Sequence, residues 1–371
     1  MPFDMMPRIP VYQPDLSGHE RDYVLECLDS TWISSKGRFI AQFESAFADF
    51  LDVPHAVTVC NGTVALHLAL VALGIGPGDE VIVPTLTYIA SVNAIRYTGA
   101  TPVFCDSLAD TWQMDPADVE QRITPRTRAI MAVHLYGGAC EMERLAALCR
   151  RHDLKLIEDC AEAIGTRIDS RHVGTFGDVA AFSFFGNKTI TTGEGGMVVC
   201  KDTSLDADLR HLRGQGLAKD QEYWHDVIGY NYRMTNICAA IGVAQLERVD
   251  DILHRKAGLA QRYRAALAEV PVRFQAHRTS EVMSHWMVTI LTSAAADRDP
   301  LRTSLLAAGV ETRPIFYPVH TMPMYHREGV SFPVAEDIAA RGINLPSWHD
   351  LSTRDMSTVV NAISRFRWSR A

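Results

Sequence analysis

Apolar and polar positions alternate along this chain in two periods. Residues 17–30 and 38–50 repeat at helical spacing, with Tyr23, Val24, Cys27 and Leu28 sharing one face of the first segment. Phe39, Phe43, Phe47 and Phe50 form a stripe on the second, which reads as core. From residue 55 short apolar runs take over, at 55–60, 80–84, 101–106, 129–135, 155–159, 179–185 and 196–200. They are too short for helices and read as strands buried on both faces. Helical segments fall between most of them, at 63–73, 89–97, 116–123 and 142–152. That alternation predicts an α/β layered domain whose sheet is mostly parallel and covered on both sides.

The regularity stops after Arg213-Gly-Gln-Gly216. A polar, aromatic stretch ends in Gly229-Tyr-Asn-Tyr-Arg-Met-Thr-Asn236 and leads into one long predicted helix, 237–260. The remainder mixes a strand at 286–291 with helices at 299–308 and 353–366, Asp299-Pro300 reading as the cap and first turn of the former. The expected organisation is a large domain over residues 1–250 and a smaller α+β domain over 251–371, hinged on the long helix.

Composition narrows the classes of partner. With 47% hydrophobic and 22% charged residues the chain has an ordinary globular make-up, and a formal charge of −8 argues against nucleic acid or a membrane surface. No apolar run reaches the about 18 residues that suggest a bilayer span. The start, Met1-Pro-Phe-Asp-Met-Met-Pro-Arg8, lacks a basic region followed by an apolar one, so no signal peptide is expected. Eight cysteines, at 27, 60, 105, 140, 149, 160, 200 and 238, lie mostly in or beside apolar runs without a C-x-x-C pair. They read as reduced thiols of a cytoplasmic protein. No metal is expected, the nearest grouping at ligand spacing being His320 with Tyr325-His326.

In parallel sheets ligands sit beyond the carboxyl ends of the strands, so polar residues there carry the functional expectation. Lys188 stands in a Gly-flanked loop between the last two strands. Burial would lower its pKa and leave a neutral amine able to attack a carbonyl, a Schiff-base lysine; a solvated turn lysine is the alternative. Asp159 ends a hydrophobic strand, where a carboxylate needs a partner: a pyridinium nitrogen, or a structural cation. Glu162, one turn on, would face the same cavity. Thr63 is placed to cap the helix after the first strand, leaving free N–H groups for a phosphate or forming an ordinary cap. Tyr88, after the second strand, is a ring stacker or a packing tyrosine. Phosphate cap, ring stacker, strand-end acid and buried lysine together are what pyridoxal phosphate requires. The glycines of Gly74-Ile-Gly76-Pro-Gly78 follow a helix, which excludes a dinucleotide fingerprint. The loop Ser30–Arg38 is either ligand-contacting or plain surface.

The segments NGTVALHLAL, PTLTYIA, VHLYG, IEDCAEA, FSFFGNKTITTGEGGMV and GYNYRMTN, spread over nearly the whole chain, resemble the sugar-nucleotide aminotransferases of the DegT/DnrJ/StrS type. The resemblance implies a fold-type-I, aspartate aminotransferase-like transferase with a seven-stranded sheet, working as a homodimer with shared active sites. It implies pyridoxal 5′-phosphate as cofactor, passing through pyridoxamine 5′-phosphate, with a sugar nucleotide and L-glutamate as substrates. Carried across, Lys188 would bear the cofactor and shuttle protons, Asp159 would pair with the ring nitrogen, and Tyr88 would stack on the ring. Gly62, Thr63 and Ser183 would hold the phosphate, and Asn231 would reach it from the partner subunit. Glu162 falls near the ring hydroxyl, where relatives often have Gln or His. TWISSKGRFI, LRGQG and RPIFYPVH are similar to the branch that aminates C4 of GDP-4-keto-6-deoxy-D-mannose. That likeness implies substrate contacts at Ser34, Ser35, Lys36, Arg38, Tyr317 and His320; a dTDP- or UDP-linked sugar is the alternative. Pyridoxamine-dependent 3-dehydratases also resemble the chain but carry a histidine where Lys188 stands, which favours transamination.

Overall fold

The computed structural model describes residues 8–369. The first seven residues, on which most of the signal-peptide reading rests, lie outside them. All seven predicted strands join one sheet: β1 His55–Val59, β2 Glu80–Pro84, β3 Thr101–Cys105, β4 Thr127–Val133, β5 Lys155–Asp159, β6 Val179–Ser183 and β7 Gly196–Cys200. Their spatial order is β1-β7-β6-β5-β4-β2-β3. Only β7 runs against its neighbours, so the carboxyl ends of the other six open on one side. The strand predicted at 129–135 ends earlier because Tyr136 turns into the left-handed region at φ 55°. The phenylalanine stripe of helix Arg38–Leu51 packs as expected, with Phe47 5.0 Å from Phe182 and Phe43 5.1 Å from Phe184. On helix Glu20–Asp29 only Cys27 of the predicted face is fully buried, and Leu28 stands half-exposed.

The smaller α+β part holds a second, antiparallel sheet of β8 Val272–Phe274, β9 Val288–Thr292, β10 Arg313–Pro314 and β11 Gly342–Leu345, ordered β8-β9-β11-β10. The long helix expected at 237–260 is two helices, Asn236–Leu246 and Val249–Ala266. Arg248 leaves helical geometry between them, where its guanidinium bonds Asp15 at 2.7 Å. Gln245, from the last turn of the first helix, donates to the Asp15 carbonyl and to Glu20, so the break is fastened to the N-terminal arm. Asp299-Pro300 does not start a helix either. Helix Ala295–Ala307 begins a turn earlier and carries Pro300 inside it, with Ala294 as the extended residue before it and the Ala294 carbonyl held by Thr292. All eight cysteines are free thiols. Among the described residues no helix is long and apolar enough to cross a membrane.

Candidate active site

The site is built from strand ends upward. Immediately after β1 the chain enters helix Gly62–Ala72, capped by Asn61, whose Oδ1 accepts from the Val64 amide at 3.0 Å. Thr63, expected as the cap, lies inside the first turn. The amides of Gly62 and Thr63 belong to the turn that has no intrahelical acceptor and lies at the positive end of the dipole. Glycine is required for the helix to start this close to the sheet. A Cβ on Gly62 would stand 2.7 Å from the Ser183 Cβ, and one on Gly196 2.6 Å from the Asn61 carbonyl oxygen.

Asp159 ends β5 and is buried. Its Oδ2 accepts from Ser91 at 2.7 Å, its Oδ1 from the Ala161 amide at 3.0 Å, and Thr87 lies 2.9 Å from Ser91 behind it. Two donors leave lone pairs of a carboxylate open toward the cavity, which suits a cationic N–H.

The Lys188 side chain is 12% exposed, with Nζ 3.9 Å from Glu162 and 4.1 Å from the ring centre of Trp286. Burial holds its pKa below the ordinary lysine value, against the opposing pull of Glu162 and Asp159. Glu162 answers the awkwardness of a carboxylate here in two ways. Its Oε2 accepts from the Tyr136 amide at 2.8 Å, an amide aimed by the left-handed turn, and burial raises its pKa to about 7. Tyr136 itself is fixed by the Phe316 amide, which donates to its hydroxyl at 3.0 Å.

Gly62, Thr63, Tyr88, Asp159, Glu162, Ser183 and Lys188 thus line one cavity of about 640 Å³. Sequence reasoning missed Ser91, His134, Trp286, Arg313 and Phe316, which line it too. Ser91 follows Tyr88 by three residues, a helical spacing that marked it; His134, Arg313 and Phe316 stand inside the segments VHLYG and RPIFYPVH without having been assigned a place in the cavity, while Trp286, just before β9, carried no local signal. The other expected residues stand elsewhere. Asn231 is exposed beside Arg233, and Arg38 forks onto Glu26 at 2.5 Å. Ser34, Ser35 and Lys36 lie on the same outer loop, and Tyr317 is half-exposed beyond Phe316. His320 offers no free ring nitrogen, since one meets Thr85 at 2.7 Å and the other Glu336 at 3.1 Å.

Folding also gathers groups that sequence spacing hid: His134–Glu158–Cys160 and Asp15–His349–Asp350. In the first, Glu158 already accepts from His134 and from the amides of Gly174, Phe176 and Gly177, all at 2.7–3.1 Å. That network holds the β5 end in place.

A desolvated amine at the cavity wall, a strand-end carboxylate with open lone pairs and a bare helix N-terminus on this topology define a fold-type-I pyridoxal-phosphate aminotransferase, and the donor set fits that cofactor. The chain belongs to the DegT/DnrJ/EryC1/StrS aminotransferase family, whose profile matches residues 14–364. It is 58% identical over 363 residues to the GDP-perosamine synthase of Escherichia coli O157:H7, covering 97% of this chain and 99% of that protein. It is 52% identical over 363 residues to the GDP-perosamine synthase of Vibrio cholerae, covering 96% and 99%. Among solved structures, the PLP form of Spr1654 from Streptococcus pneumoniae superposes with a TM-score of 0.91 at 29% identity, covering 96% of this chain and 97% of that one.

Proposed function

We propose that this chain transfers the amino group of L-glutamate to C4 of GDP-4-keto-6-deoxy-D-mannose, giving GDP-perosamine and 2-oxoglutarate. The observation that carries the reading is the 58% identity with a GDP-perosamine synthase along nearly the full length of both chains.

Bound pyridoxal phosphate supplies an electron sink for a carbanion formed beside nitrogen. The chain does the rest. The Gly62 and Thr63 amides with Ser183 would hold the phosphate, Asp159 would hold the ring nitrogen protonated, and Tyr88 would cover the ring. Lys188 Nζ takes the proton from the glutamate Cα in the first half-reaction and delivers one to C4 of the sugar in the second. Its lowered pKa leaves neutral amine available for the first task. Arg313, the one guanidinium lining the cavity among the described residues, supports binding of two anionic substrates in turn.

Asn231, Ser34, Ser35, Lys36 and Arg38 stand away from their own cavity, on a surface that also exposes Trp32, Ile33, Trp224 and Ile228. The reading assigns this surface to a homodimer, in which these residues complete the neighbouring site. In this reading Tyr317, next to the cavity-lining Phe316, would be a substrate contact, and His320 has a structural role.

The test is competition between GDP-, dTDP- and UDP-linked 4-keto-6-deoxy sugars at equal concentration, scored by kcat/KM. The GDP sugar should win. Preference for another nucleotide would overturn the substrate and leave the transaminase.

A further inference from the structure

The reaction leaves one buried lysine without a task. Lys256, in helix Val249–Ala266, is 1% exposed, and among the described residues no carboxylate lies within ion-pair distance of it. Its Nζ donates to the carbonyls of Trp286 at 3.1 Å and Ser347 at 2.8 Å and lies 5.4 Å from the ring centre of Tyr12. Both aromatic residues reach on to the loop of the reactive lysine. Trp286 Nε1 donates to the Asn187 carbonyl at 2.7 Å, and its ring lies under the Lys188 amine. The Tyr12 hydroxyl donates to the Lys188 carbonyl at 2.5 Å. Two successive carbonyls of a loop flanked by Gly186 and Gly193 are therefore held by side chains from the N-terminal arm and from the segment before β9, and Lys256 bonds the Trp286 backbone and lies beside the Tyr12 ring.

We propose that Lys256 is a positioning residue for Lys188, acting through Trp286 and Tyr12. Fixing the backbone on either side of Lys188 restricts where its amine stands, and a shift of about 1 Å at a reacting group costs up to about 100-fold in rate. The charged and titratable groups in play are Glu162 and Asp159 facing Lys188, His285 beside Lys256, and Asp15 near Tyr12. The inference rests on Lys188 being the reacting amine.

The experiment uses full-length wild type, Lys256→Met and Tyr12→Phe. Each apoenzyme is reductively methylated with trace formaldehyde across a pH series, and peptide mass spectrometry follows Lys188 against the exposed Lys219. Loosening the loop hydrates the amine, so the Lys188 labelling midpoint should rise by about one pH unit in both variants while Lys219 stays put. With cofactor restored, kcat should fall about tenfold with KM for the sugar nucleotide within twofold. An unchanged midpoint and kcat, even with a lower melting temperature, would reduce Lys256 to a core crosslink. Should Lys256→Met fail to fold, Lys256→Gln, shorter but still an N–H donor, takes its place under the same criteria, and Tyr12→Phe tests the relay to the Lys188 carbonyl. Turnover by Lys188→Ala would instead sink the reading of the site itself.

Discussion

Lys256 is buried and Lys188 nearly so, and desolvation lowers the pKa of both, yet only one faces chemistry. Lys256 is pushed down to about 7, and its neutral amine has two N–H groups for two carbonyl acceptors. A third proton would find no acceptor. Lys188 has no hydrogen-bond acceptor among the described residues; it meets a ring face and a carboxylate at 3.9 Å, and it lines the cavity. Both amines are desolvated; the difference is unspent bonding capacity. A saturated amine can only fix the groups around it, whereas an unsaturated one beside a cavity is free to bond a carbonyl and to carry a proton.

The largest break of this comparison is Lys188→Ala. Turnover should fall by about 1000-fold or more, since one group acts as both base and acid. The melting temperature should change little, because no hydrogen bond of the amine is lost. Multiple-turnover assays showing ordinary rates would mean that another group moves the proton. Asp159→Asn comes next. Losing the charge opposite a reacting ring should cost on the order of 100-fold in kcat, and a rate within a few-fold of wild type would make Asp159 structural. Ser91→Ala leaves that carboxylate in place but frees its orientation, so about tenfold is expected, an outer-partner effect. Equality with wild type in a steady-state assay would assign orientation to the Ala161 amide alone.

How far the sequence speaks follows the same division. The seven strands, their parallel character and the lysine loop were legible because strand-end polar residues violate the apolar runs they terminate. Asp159 and Lys188 are such violations. Residues whose role depends on a partner far along the chain left no such mark. Trp286 reaches Lys188 across 98 positions of sequence and Lys256 reaches Trp286 across 30, and neither distance has a period. The helix break at Arg248 failed to show for a like reason. Its cause is Asp15, 233 residues away, while the local apolar repeat continues unbroken. Thr63 lost the cap to Asn61 because both are capping residues two positions apart, and only the closeness of Gly62 to Ser183 decides where the helix begins.

Glu162→Gln sharpens the comparison from the acid side. Glu162 titrates near 7 and, once ionised, raises the pKa of Lys188. Removing it takes away that stabilisation of the ammonium, so the pH at which neutral Lys188 appears should fall. The acid limb of the kcat–pH profile should move down by about one unit, while the amide of Gln keeps an acceptor for the Tyr136 N–H. A limb that moves up, or stays, would mean that the titration near 7 belongs to another group.

The smallest effect is read in stability. In the folded chain Lys256 titrates near 7, and in the unfolded chain near the ordinary 10.5. Between those values the unfolded state binds more protons, so this group's penalty on folding is complete below about pH 7 and fades as pH rises toward 10. Wild type therefore gains melting temperature over that window from Lys256, and Lys256→Met does not. The Met variant loses two hydrogen bonds at every pH, a constant offset, and the higher Lys188 midpoint expected in it moves the difference in the same direction, because a lysine less depressed by folding gains less stability as pH rises. The difference in melting temperature, variant minus wild type, should thus become steadily more negative from pH 7 to pH 10. Parallel curves from calorimetry would mean that Lys256 keeps its proton when buried, and the contrast between a saturated neutral amine and an unsaturated reactive one would fail at its quieter end.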